Sequence, residues 1–132
     1  MKNNTAIDNI RNFCEQEAQK ILAEITGTLG VVVSTVDGFE VAYAHHGDLV
    51  PERIAAMASS ISAIGSVVAR ESFLEDPSDI TIYSGNGFVQ VFLVNQSDAN
   101  LLIVNIVSDS TAIMAQVNHR GKRFAKALRE LR

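Results

Sequence analysis

The sequence predicts an α+β domain built on a five-stranded antiparallel sheet, and three observations carry that prediction. Hydrophobic periodicity switches along the chain in the order α-β-β-α-β-β-β-α. Turn signals at Asp37-Gly38, Ser84 to Gly87 and Asn95 to Asn100 separate consecutive strands. Only the connection between the second and third strands is long enough to hold a helix, so the other strands join by hairpins and pair antiparallel.

With 132 residues the chain is expected to be one domain, 1–132. Hydrophobic residues make up 47% and charged residues 20%, a balance that disfavours disorder. No apolar run is long enough to span a membrane, and residues 1 to 20 lack the apolar block of a signal peptide, so a soluble, cytoplasmic protein is expected. One cysteine, Cys14, cannot close an intramolecular disulfide, and His45, His46 and His119 do not supply a Cys/His zinc framework. The net charge of −4 hides a split: residues 1 to 109 hold 5 basic and 14 acidic side chains, residues 120 to 132 hold 6 basic and 1 acidic.

The first helix is read over about Thr5 to Thr26, with Ile10, Phe13, Cys14, Ala18, Ile21, Leu22 and Ile25 on one stripe. Thr5 and Asp8 resemble a capping box, and Gly27 suits the stop. Two β-branched or aromatic runs follow, Leu29 to Thr35 and Phe39 to His45, and the Asp37-Gly38 pair between them predicts a tight type I′ hairpin.

The middle helix is read over Pro51 to Glu71, with Pro51 in its first turn and Asp48 upstream as a cap. Ile54, Met57, Ala58, Ile61, Ile64, Gly65 and Val68 form one apolar stripe, expected to lie on the sheet. The opposite side should then be charged, yet Ala55, Ala56, Ser59, Ser60, Ser62, Ala63, Ser66 and Val67 are small and uncharged. From Ile54 to Ala69 no residue carries a charge, roughly 24 Å of helix.

Ile80 to Tyr83 is a short third strand, Phe88 to Val94 the fourth and Leu101 to Val107 the fifth. A last helix, capped at Asp109-Ser110, carries Ile113, Met114, Val117, Gly121, Phe124, Leu128 and Leu131 inward and the basic residues around the rest.

Small residues let two helix backbones approach closely, and serine hydroxyls can bond back to the preceding turn, so the uncharged helix face is expected to be a homodimer interface. A standard interface of about 1,600 Å² gains roughly 25 kcal/mol gross, against an association cost of ~4–15 kcal/mol. The plainer alternative is a helix enclosed wholly within a monomer.

The run GVVVSTVDGFEVA, the helix IAAMASSISAIGSVVARE, then ITIYSGNGFVQVFLV, NLLIVNIV and a closing helix resemble the Roadblock/LC7 domain over about residues 24 to 128. That resemblance implies a profilin-like fold, with the middle helix on one sheet face and the terminal helices on the other. It also implies dimerisation through the middle helices and third strands, which places Ile80 and Ile82 in the interface, and a role in regulating or scaffolding small Ras-like GTPases. It implies no nucleotide site.

The search for catalytic chemistry finds no nucleophile and base, carboxylate pair or metal cluster, so no enzymatic activity, cofactor or metal is expected. His45 and His46 are adjacent on a strand, point to opposite faces and are read as solvent-facing. His119 is read as a surface residue and Cys14 as a small buried hydrophobe. Gly85-Asn86-Gly87 precedes a strand, not a helix, and is a turn; no GxxxxGK[ST] occurs, so any nucleotide must belong to the partner.

The basic tail reads first as a solvated helix face, next as a dock for an acidic partner, and least as a lipid or nucleic-acid contact, since the rest of the chain would repel phosphate. Nucleic acid is not expected as a partner. Arg53 and Arg70 bracket the uncharged helix and, with Arg123 and Lys126, are the candidate partner contacts. The runner-up function is a small-molecule sensor or adaptor holding a ligand between sheet and helix. It would require an apolar cavity under the first or last helix, which Ile21, Leu22, Ile25, Val117, Phe124 and Leu128 are expected to fill.

Overall fold

Five antiparallel strands form one sheet: β1 (Thr28–Thr35), β2 (Glu40–His45), β3 (Asp79–Ser84), β4 (Gly87–Asn95) and β5 (Leu101–Asp109), in the spatial order β2-β1-β5-β4-β3. The computed structural model describes residues 2–95 and 101–131, with side chains from Asp8 onward. The turn expected at Asn95 to Asn100 lies, after Asn95, outside the described residues. Helices α1 (Lys2–Glu24) and α3 (Met114–Glu130) cover one sheet face, and α2 (Pro51–Glu71) lies on the other.

Strand alternation divides the core into two layers. Val31, Val33, Phe92, Val94, Val104 and Ile106 meet Cys14, Ala18 and Ile21 of α1 and Val117, Phe124 and Leu128 of α3. On the other face Val91 and Ile103 meet Ala58 of α2, with Ile61, Ile80, Val89 and Leu93 around them. The two terminal helices are tied by a charge-assisted bond from Arg120 to Glu17.

The expected hairpin joins β1 to β2, but its turn differs. Gly38 alone takes a left-handed φ (+92°), Gly38 N–H donates to the Thr35 carbonyl at 3.0 Å and Thr35 N–H to Phe39 at 2.8 Å. A register shift follows between Val33 and Ser34. This is the three-residue loop with a glycine bulge, which needs one positive φ where type I′ needs two.

Helix starts differ as well. α1 begins at Lys2, so Thr5 lies inside it. Pro51 opens α2 as expected, but Val50 is the cap residue and no side chain, Asp48 included, bonds to it. Asp109 accepts the Thr111 N–H at 2.8 Å and forms a turn before α3 instead of capping the helix, whose cap residue is Ile113.

Candidate interaction surface

The phase of α2 is rotated a little from the one expected, with Ile54, Ala58, Ile61 and Gly65 of the predicted stripe still turned toward the sheet. Ala55, Ala58 and Ser62 are the residues buried against the sheet, flanked by the half-buried Ile54, Ile61 and Gly65. Met57, Ile64 and Val68, expected inside, are exposed. The cause is distance: the sheet beneath is already filled by Val32, Val91 and Ile103, so small side chains take the closest approach and Ile54 and Ile61 lie at its flanks. Ala55 and Ser62 are therefore removed from the candidate interface, being enclosed within the chain itself.

Ser59 is half-buried, its hydroxyl donating to the Val36 carbonyl at 2.6 Å, and Ser66 is half-buried too. Ala56, Ser60, Ala63 and Val67 do face outward, alongside Met57, Ile64 and Val68. The outer face of α2 is thus larger and more apolar than small residues alone would make it. An exposed apolar patch of this kind marks a place of contact.

That face continues onto the sheet. α2 crosses above the start of β3, where Gly65 leaves room for the Ile80 δ-methyl. Ile80 is half-buried there, while Ile82 is exposed. β3 pairs with β4 on one side and is an edge on the other.

The candidate arginines bracket the face. Arg53 is exposed, and Arg70 makes a loose, exposed ion pair with Asp76 at 3.4 Å, worth little in water. On the other side of the molecule Lys126 lines a groove of about 330 Å³ with Lys122 and Arg129, facing Asp79 on β3, whereas Arg123 is exposed outside that groove.

The remaining candidates carry no reactive geometry. Burial, aided by the nearby Glu17 charge, pushes the Cys14 thiol up to about 12, far from the thiolate that nucleophilic chemistry uses. His46 and His119 are exposed; His45 is half-buried instead of solvent-facing, its ring centroid 5.9 Å from that of Tyr43. Among the described residues no three His, Cys, Asp or Glu side chains gather as a metal site, and no helix is long and apolar enough to cross a membrane.

One part of the surface escapes sequence reasoning. Phe73 and Leu74 follow α2 and stand exposed, Phe73 at 97%, in the left-handed conformation with φ 61°. The available signal was an aromatic-aliphatic pair set between Glu71 and Glu75, beyond the end of any helical stripe.

Neither protein-family models nor curated proteins match this chain. Solved structures do. An MglB with tetrameric arrangement superposes with a TM-score of 0.79 at 17% identity, over 92% of this chain and 89% of that one. The Roadblock/LC7 domain from Streptomyces avermitilis gives 0.76 at 14% identity, over 88% and 94%. Profilin II of Acanthamoeba castellanii gives 0.55 at 14%, over 89% and 97%. The element order, the strand order and these superpositions together establish that the chain has the Roadblock/LC7 fold, a profilin-like α+β architecture.

Proposed function

We propose that this chain is a non-enzymatic, cytoplasmic homodimeric module that binds and modulates a small Ras-like GTPase. The observation that carries the reading is the outer face of α2, apolar and uncharged from Ile54 to Ala69 and continuous with the open edge of β3. A face of this length on a soluble domain is stabilised by burial against another surface. The self-interface comprises Ala56, Ser60, Ala63 and Val67, joined by Met57, Ile64 and Val68, with Ile80 and Ile82 at the strand edge. The GTPase part is supported by the sequence resemblance and by a fold shared with MglB structures.

The partner supplies the nucleotide, because this chain has no phosphate-binding loop of its own. Modulation then acts by ordering the GTPase's switch loops, with Arg53, Arg70, Arg123 and Lys126 as contacts. Fully buried Ile21, Val117, Phe124 and Leu128 occupy the layer beneath α1 and α3, which favours this reading over the small-molecule sensor. The test is GTP hydrolysis by a Ras-like GTPase encoded beside this chain, measured with and without it. A changed rate or nucleotide-dependent binding supports the reading; no binding in either nucleotide state overturns it.

A further inference from the structure

β2 stands at the sheet edge opposite β3 and pairs only with β1. The His46 N–H donates to the Leu29 carbonyl at 2.9 Å, and the register continues from there through Val31 with Ala44 and Val33 with Ala42. These alternate positions turn their backbone groups toward β1, so the N–H and C=O of Tyr43 and His45 point the other way, along the open edge. No other described strand takes them up.

Edges of this kind are ordinarily blunted by lysine, proline or bulges. β2 reads EVAYAH, without lysine or proline, and its one bulge is confined to the hairpin end, beside Ser34 and Glu40. From Ala42 to His45 the pairing is regular. A stretch of unpaired backbone is thus left able to receive another strand.

The edge opens into a groove. Arg11, Glu15 and Gln19, an exposed row along α1, face the run Glu40 to Tyr43 across a trough of about 500 Å³. Glu40 Oε2 is enclosed with no hydrogen-bond partner among the described residues, and an enclosed carboxylate oxygen in that state calls for a donor. Charge points the same way. From residue 21 to residue 52 the chain carries Glu24, Asp37, Glu40, Asp48 and Glu52 and no lysine or arginine, so the hairpin that ends the sheet here is acidic throughout.

We propose that the outer edge of β2 is a docking site for an extended, basic segment of a partner protein, which adds a sixth strand to the sheet and sets a lysine or arginine against Glu40 and Glu15. Backbone bonds to Tyr43 and His45 supply the affinity, and the carboxylates of the groove select the segment. β2 and β3 bound opposite edges, so the site is complete in a single copy and depends on neither the homodimer nor the GTPase reading.

The probe is a capped peptide of alternating lysine and valine, titrated into the full chain while amide exchange is followed by NMR. The Tyr43 and His45 amides should exchange at least about tenfold more slowly in the bound state, and N-methylation of the peptide backbone should remove that protection. Tyr43→Pro deletes one outward donor where an edge strand tolerates proline, and should weaken binding more than Tyr43→Ala while keeping the native circular dichroism. Should Tyr43→Pro fail to fold, the N-methylated peptide carries the same comparison. Glu40→Lys should weaken binding about tenfold or more. Exchange at Tyr43 and His45 that is unchanged at every peptide concentration, or equal binding of a glutamate-valine peptide, overturns the proposal. Protection of those amides that grows with protein concentration in the absence of peptide overturns it too, by making a second copy the occupant.

Discussion

Arg120 Nη2 lies 2.8 Å from Glu17 Oε1, joining α3 to α1 across 103 residues of chain. Both side chains are little exposed, 12% and 14%. Burial by itself would raise the Glu17 carboxyl, but the bonds and charges of Arg120 and Lys20 outweigh it and hold the carboxyl below its ordinary value. A lowered carboxyl contributes stability that is present above the unfolded value of about 4.5 and lost as pH falls through the folded one. Glu17→Met should cost about 2 kcal/mol at neutral pH by leaving Arg120 unpaired, and should flatten the acid limb of the stability profile. Glu17→Met with Arg120→Met should recover most of that loss, which denaturant titrations across pH would measure.

Gly121 lies against the ring of Phe92, and a Cβ there would clash with the ring's Cε2 and Cζ. Alanine for glycine inside a helix ordinarily stabilises by about 1 kcal/mol. Here overpacking reverses the sign: Gly121→Ala should destabilise by about 1–3 kcal/mol, read as a fall in the thermal midpoint.

Ala55 and Ala63 test the phase of α2. Ala55 is fully enclosed against the sheet, so Ala55→Glu buries an unpaired charge and should abolish cooperative folding. Ala63 faces outward, so Ala63→Glu should keep the native circular dichroism and thermal transition while light scattering reports a monomer. A dimer that survives Ala63→Glu would place the self-interface elsewhere.

Cys14, with its thiol pushed up to about 12 and its side chain buried, should react with aromatic disulfide reagents at neutral pH only as fast as the chain opens. Denaturant should release that reaction by orders of magnitude, and rapid labelling of the native protein would contradict the enclosed position.

The order of elements was legible because it is local. Period-two runs bounded by glycine and asparagine turns marked the strands, and Pro51 marked the start of α2 before any tertiary contact was needed. The charge-free stretch from Ile54 to Ala69 was equally plain, and with it a helix that an ordinary surface position does not explain.

What periodicity cannot say is which of two apolar faces goes inward. The expected inward stripe holds Ile54, Met57, Ala58, Ile61, Ile64, Gly65 and Val68, of which Ile54, Ala58, Ile61 and Gly65 do turn toward the sheet while Met57, Ile64 and Val68 do not. The sheet set the finer phase: Val32, Val91 and Ile103 fill the space beneath α2, so Ala55, Ala58 and Ser62 are buried there, Ile54 and Ile61 pack at their flanks, and Met57, Ile64 and Val68 turn outward. Tertiary structure likewise chose the one-glycine loop at Gly38, paired Glu17 with Arg120, and left Phe73 exposed in the left-handed conformation at the end of α2. By itself the sequence determined the elements, their order and the presence of an uncharged helix, since those follow from local spacing. Only the packed chain decided which side chains that helix turns outward, because close approach is settled by the volume of residues distant in sequence.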